Sequence, residues 1–186
     1  EDKVPAAARF VILIGNAGPA MFARFARERD PEREQIDDWT RDTVGELASA
    51  LKATAVYPFS KPYQPFLTWA RRGGGGHVSP LGLNIHPRYG LWHAYRAALL
   101  FPVVFDLPRQ GVSAHPCESC SARPCLSACP VSAFDGKSYD VAACGQHLLT
   151  QSGSACMQGG CLARLACPVG TEYTYDARQR QFFMQA

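Results

Sequence analysis

The side chains able to do chemistry are concentrated at one end of the chain: of eight cysteines, none precedes position 117. They run as Cys117-x2-Cys120-x4-Cys125-x3-Cys129-Pro130, then Cys144, then Cys156-x4-Cys161-x5-Cys167-Pro168. Eight thiolates make two sets of four, which is what two cubane [4Fe-4S] clusters require, because each iron takes one terminal cysteine sulfur. Close spacings supply three sulfurs from one loop and a distant Cys-Pro cysteine supplies the fourth. In two-cluster ferredoxins the fourth cysteine of each run ligates the other cluster. On that rule cluster one takes Cys117, Cys120, Cys125 and Cys167, and cluster two takes Cys129, Cys144, Cys156 and Cys161. Proline after Cys129 and Cys167 fixes the backbone and turns the chain away from the ligand. The middle gap, Ser121-Ala-Arg-Pro124, is longer than the strict bacterial pattern, and the second run is looser still. Four thiolates also suit structural zinc, although zinc sites usually combine two short knuckles, and any even count admits disulfides.

Five histidines, His77, His86, His93, His115 and His147, lack a metal-binding spacing such as HExxH. His86 and His93 flank a predicted turn upstream of the cysteines and are the candidate cofactor-binding residues. Gly15-Asn-Ala-Gly18 lacks both the GxGxxG fingerprint and the Lys-Ser/Thr of a phosphate loop, so it reads as a plain turn. No Ser-His-Asp arrangement, paired catalytic carboxylates or nucleophile elbow is present. Arg71-Arg72, Arg123 and Arg164 read as a solvated basic face, the alternative being docking of an acidic redox partner. Trp39, Trp69 and Trp92 read as packing residues.

The elements that must carry these residues are legible in part. Phe10-Val-Ile-Leu-Ile14 is a short apolar run ended by glycine and reads as a central strand buried on both faces. Ala20 to Glu28 consists of good helix formers after Pro19. Ile36, Trp39, Thr43, Leu47 and Leu51 recur at helical steps, with Val44 and Ala48 widening the stripe. Ala53 to Tyr57 reads as a strand stopped at Pro58. Residues 58–80 are loop-rich around a short helix from Phe66 to Arg72, and Gly73 to Gly76 reads as a flexible tip or as a place of close backbone approach. Leu81, Leu83 and Ile85 alternate as a strand, Pro87 to Gly90 offers a turn, and Leu91 to Leu100 fits strand and helix equally. The sequence therefore predicts an α+β protein with one boundary in the segment Leu107 to Pro116, which carries Pro108, Gly111 and Pro116. Residues 1–110 form an α/β domain and 111–186 a small bacterial-ferredoxin-like module, stapled by its clusters for want of a hydrophobic core.

With 47% hydrophobic and 19% charged residues the chain is ordinary for a globular protein with a buried core. A net charge of +3 is too small to indicate nucleic acid. No apolar run approaches the roughly 20 residues of a membrane span. Nothing from Glu1 to Phe10 looks like a signal peptide, and low-potential clusters are assembled in reducing compartments, so the cytoplasm is the expected location.

The run Cys117 to Pro130, the lone cysteine in Tyr139-Asp-Val-Ala-Ala-Cys144 and the segment Cys161 to Pro168 resemble the double-cluster module of the epoxyqueuosine reductase and reductive dehalogenase group. Gly82-Leu-Asn-Ile-His-Pro-Arg-Tyr-Gly-Leu-Trp92 resembles the stretch that precedes it there. The resemblance implies a shortened nitroreductase-like N-terminal domain that binds cobalamin or another corrinoid, with electrons arriving through the two clusters. Where epoxyqueuosine reductases carry a catalytic aspartate, this chain has Tyr57-Pro-Phe-Ser-Lys-Pro62, so activity on tRNA does not carry over. The expected function is electron transfer from a redox donor protein, through two [4Fe-4S] clusters, to an acceptor at the N-terminal domain. A corrinoid-dependent or corrinoid-reducing reductase and a zinc-stabilised interaction protein are the alternatives.

Overall fold

The computed structural model describes residues 7–30, 35–107, 111 and 113–185; the first six residues and Pro108, at the expected boundary, lie outside them. The fold is mixed α/β with small open sheets and a cysteine-rich C-terminal region. Two compact units divide the chain: Glu1–Gly75 with Ala94–Val112, and Gly76–His93 with Ser113–Ala186. This differs from the single boundary near residue 110, because the segment between Gly76 and His93 groups with the cysteines.

The first unit is built on a three-stranded sheet of β1 (Phe10–Ala17), β5 (His93–Phe101) and β2 (Thr54–Val56), in the order β1-β5-β2. The expectation of a central β1 is corrected: β1 lies at an edge and has no fully buried residue, whereas Ala97 to Phe101 are all buried. The segment legible as either strand or helix is thus the central strand, paired antiparallel to β2 with Ala55 opposite Leu99. Cβ atoms alternate across a strand, so each face of β5 meets a different layer. Ala97, Leu99 and Phe101 pack with Val44 and Ala48 of α2 (Ile36–Ala50), while Ala98 and Leu100 pack with Phe66 and Trp69 of α3 (Phe66–Arg72). Asp37 and Asp38 in the first turn of α2 complement its dipole, and Asp37 also accepts from Arg96 at 2.5 Å. Helix α1 (Ala20–Glu28) buries Phe22 and Phe25, the latter 5.8 Å from the Trp39 ring. Strand β1 runs through Gly15 and Asn16 before turning at Gly18, so no glycine loop precedes a helix in the manner of a phosphate site.

The glycine tract is pinned rather than a flexible tip. Gly73, Gly74 and Gly75 donate backbone bonds to Trp69, Arg71 and Ala70, and Tyr95 Oη donates to the Gly75 carbonyl at 2.8 Å. A Cβ on Gly76 would come within 2.6 Å of the Ile85 carbonyl oxygen, which is the close-approach reading.

In the second unit, β3 (His77–Val78) pairs antiparallel with β4 (Asn84–Ile85), and a bridge joins His86 to Gly90. The strand expected over Leu81 to Ile85 is shorter, because Ser79 to Leu83 forms the connecting turn. Short helices follow: α4 (Pro124–Ser127), α5 (Val141–Leu148), α6 (Ser154–Gly159), α7 (Leu162–Leu165) and α8 (Ala177–Gln185). Arg180 ties α8 to α6 by donating to the Gly159 carbonyl at 2.6 Å. No helix among the described residues is long and apolar enough to cross a membrane.

Candidate metal centre

The cysteines are positioned by very short helices and the turns that end them. Cys125 lies within α4, which has Pro124 at its start, where the missing N–H costs nothing. Cys144 lies in α5, whose first turn is capped by Asp140 accepting from the Ala143 amide at 2.9 Å. Cys156 lies in α6, and Cys161 is the residue just before α7. Cys129 and Cys167 follow α4 and α7 by the same interval, each leading into a proline, so the two Cys-Pro turns are built alike. All eight are free thiols, Cys125, Cys156 and Cys167 being buried.

Electrostatics show which thiols share a neighbourhood. Burial pushes the Cys117 thiol up, followed by the charges of Cys167, Cys125 and Cys120, with Arg123 pulling the other way. Burial, then Cys167 and Cys120, raises Cys125. Cys167 is raised by burial and by Cys120. In the second foursome, burial raises Cys161, with Cys156 and Cys144 adding to it. Tyr139 lies beside that set: its interaction with Cys144, then burial, then the charges of Cys144, Cys161 and Cys129 push its pKa up to about 12. Among the described residues no three His, Cys, Asp or Glu side chains are gathered tightly enough to hold a single metal ion.

Several of the sulfurs meet backbone donors. The Ala133 amide donates to Cys129 Sγ at 3.3 Å. Amides of Leu126, of Ala163 and Arg164, and of Val169 act on Cys125, Cys161 and Cys167 respectively, each favouring the thiolate. A hydrogen bond to the charged form lowers a pKa, whereas crowding of like charges raises it. Thiols that repel as thiolates yet face N–H groups suit a cationic iron–sulfur cage, which removes the repulsion and keeps the donors. On the chemistry of this donor set the residues fit iron–sulfur ligation.

The segment upstream of the cysteines is built against their unit. Gly90 and Gly170 both have positive φ, 56° and 69°, and their backbones nearly touch: a Cβ on Gly90 would lie 1.8 Å from the Val169 carbonyl oxygen. Only glycine fits so close an approach. Arg164 donates from Nε and Nη2 to the Leu91 carbonyl at 3.1 and 2.5 Å, and its guanidinium lies between the Trp92 and Tyr175 rings at 4.5 and 4.8 Å. The solvated-face reading is therefore corrected for Arg164, which is an internal strut.

His86 and His93 come together with their rings edge to face at 5.8 Å. The amides of Arg88 and Tyr89 donate to His86 Nδ1 at 3.0 and 3.2 Å. His93 Nδ1 donates to the Gly90 carbonyl at 3.1 Å, leaving Nε2 to accept from Asn84 Nδ2 at 3.1 Å. Burial, then the neighbouring His86 charge, lowers the His93 pKa to about 4, so this ring is neutral near neutral pH. His77 stacks on His115 at 4.6 Å, and His115 accepts from the Cys117 amide at 3.2 Å, holding the start of the first cysteine loop. His147 lies on α5, and its Nε2 is buried. Sequence reasoning missed Tyr139 and Ala133, because neither a backbone amide nor a tyrosine five residues before a lone cysteine follows any metal-site spacing.

Two solved structures share this fold. The structure of epoxyqueuosine reductase from Streptococcus thermophilus superposes with a TM-score of 0.56 at 19% identity, covering 88% of this chain and 50% of that one. A selenomethionine-labelled epoxyqueuosine reductase gives 0.54 at 18% identity, covering 95% and 52%. The chain thus spans about half the length of these neighbours. No protein-family model matches the sequence, and no curated protein matches it.

Proposed function

We propose that this chain is an iron–sulfur redox protein that passes single electrons through two [4Fe-4S] clusters to an acceptor held by the N-terminal α/β unit. Cys117, Cys120, Cys125 and Cys167 hold one cluster, and Cys129, Cys144, Cys156 and Cys161 hold the other. What supports this reading is that the free thiols Cys117, Cys120, Cys125 and Cys167 act on one another, as do Cys144, Cys156 and Cys161, with backbone N–H donors in both groups. The clusters supply reversible one-electron chemistry over a wide range of potentials. The protein supplies burial, the N–H donors that stabilise added negative charge, and small residues such as Ala128, Gly159 and Gly160 that let the backbone come close. The expected partners are a redox donor protein and an electron acceptor, in a reducing compartment such as the cytoplasm.

The fold shared with epoxyqueuosine reductases favours a second reading, a corrinoid-dependent or corrinoid-reducing reductase. In that case His86 is the better placed of the two candidate cobalt ligands. Its Nδ1 accepts from two amides and its Nε2 has no hydrogen-bond partner among the described residues, whereas both ring nitrogens of His93 are occupied.

Anaerobic purification with iron and acid-labile sulfide analysis tests the first reading, and about eight of each per chain is the expected result. A colourless preparation containing zinc would replace it with a zinc-stabilised interaction protein. Cobalamin added under reducing conditions then separates the two redox readings: a changed cobalt spectrum with retained corrinoid identifies the reductase.

A further inference from the structure

One surface arginine of the second unit is held in place without being neutralised. His86 Nδ1 accepts from the Arg88 and Tyr89 amides at 3.0 and 3.2 Å, which fixes the turn, and the His86 ring stacks on Tyr89 at 4.4 Å and 22°. Tyr89 meets Tyr173 edge to face at 4.9 Å. The Arg88 guanidinium rests on both tyrosines, 5.6 and 5.8 Å from their ring centroids, and its Nε donates to Tyr173 Oη at 2.7 Å. Next in the chain, the Gly90 backbone touches that of Val169, two residues after Cys167.

Arg164 shows what a purely structural arginine does here. It too lies between two rings, but it is partly buried and uses Nε and Nη2 on the Leu91 carbonyl. Arg88 is exposed, neither of its Nη groups has a hydrogen-bond partner among the described residues, and no carboxylate there pairs with it. Glu172, exposed beside Tyr173, acts on its charge only weakly. A surface arginine ordinarily loses rotamer freedom when it binds a partner, whereas the rings and the Tyr173 bond have already fixed this one. Two Nη groups side by side match the two oxygens of a carboxylate. Arginine and tyrosine are also the side chains that most often anchor protein interfaces.

We propose that Arg88, presented by Tyr89 and Tyr173, is a docking point for a carboxylate on the surface of an acidic redox donor protein. This rests on the reading of the chain as a two-cluster electron carrier and adds where, and by what chemistry, the donor is recognised. A donor anchored there sits close to the chain that follows Cys167. The donor loses one electron and the carrier gains it, with no bond made or broken.

The probe is a flavodoxin hydroquinone, an acidic one-electron donor whose oxidation shows in its own semiquinone band, mixed with the anaerobically purified protein. Iron and sulfide analysis comes first, and a wild-type protein lacking both refutes the electron-carrier reading itself. With loaded protein, wild-type reduction is expected to slow as salt is raised, and Arg88→Gln to be about tenfold slower at low salt. Dithionite, a small reductant, is expected to reduce both alike. Arg88→Lys keeps the charge without the paired Nη groups and is expected to recover part of the rate. Tyr173→Phe releases Nε and is expected to lose about twofold. Arg178→Gln removes the same charge from α8 and is expected to change nothing. A loaded Arg88→Gln reduced at the wild-type rate overturns the proposal, as does equal slowing in Arg178→Gln, which marks a net-charge effect. Inorganic phosphate at constant ionic strength is expected to leave the wild-type rate unchanged; inhibition that Arg88→Gln escapes reassigns the site to a free oxyanion and overturns the docking role. Should Arg88→Gln fail to load iron, an undiminished rate in Tyr173→Phe overturns the proposal.

Discussion

The two units hold themselves together by different means. In the first, a central strand with five successive buried residues sits between two helices, and Ala, Val, Leu, Phe and Trp side chains do the packing. Each large side chain buried there contributes about 1.5–3 kcal/mol of transfer free energy. In the second, the principal core is Leu81, Ile85, Leu91, Ala163, Cys125 and Cys167, so two of its six members are candidate ligands, with Cys117, Cys129 and Cys161 packed against them. The rest of its order comes from the Arg164 strut, the Gly90–Gly170 approach and capped turns. A hydrocarbon core is self-sufficient, whereas a core built from thiols ties its stability to the group those thiols hold.

The largest expected effect follows from breaking that tie. Cys125→Ser removes about half of the iron and sulfide and loosens the second unit, while the first unit keeps its amide protection in hydrogen exchange. Equal loss of protection in both units would show that they do not differ in this way. Leu99→Ala is the converse experiment, since Leu99 is 1% exposed within the hydrocarbon core. It is expected to cost about 2–5 kcal/mol in denaturant unfolding of the first unit and to leave the iron content unchanged.

Smaller effects sharpen the comparison within the second unit. Gly90→Ala forces a Cβ against the Val169 carbonyl at a positive φ, and is expected to cost more than about 1 kcal/mol, read as faster loss of visible absorbance on heating. His93 supplies a pH dependence. Its folded pKa is depressed to about 4 from 6.5, so as pH falls below 6.5 the unfolded chain takes up a proton that the folded one refuses. Stability is therefore lost between about pH 6.5 and 4, and Tm measured across that window is expected to fall less in His93→Gln.

Much of the fold was legible in local pattern. Ala20–Glu28 and Phe66–Arg72 are helices over the expected residues, and the Ile36 to Leu51 stripe is α2, because apolar spacing and helix propensity act within a few turns. Sheet order was not legible. Phe10 to Ile14 is as apolar as a central strand, yet β5 takes the centre because it alone finds partners on both sides. The choice between the two readings of the glycine tract was not legible for a related reason: Tyr95 and Ile85, which approach Gly75 and Gly76, are distant in sequence. For the candidate site, the cysteines announced themselves by type and spacing, while Tyr139 and the amide donors did not.

By itself the sequence determined the inventory: eight sulfurs in two proline-ended runs, and an apolar pattern sufficient for one conventional core. Tertiary structure decided the juxtapositions, among them residues 76–93 joining the cysteine unit, Arg164 between two rings, and the Gly90 backbone against that of Val169. Residue type and local spacing set what a segment can become, but which distant group it meets depends on loop closure and packing over the whole chain, and no window of sequence contains that information.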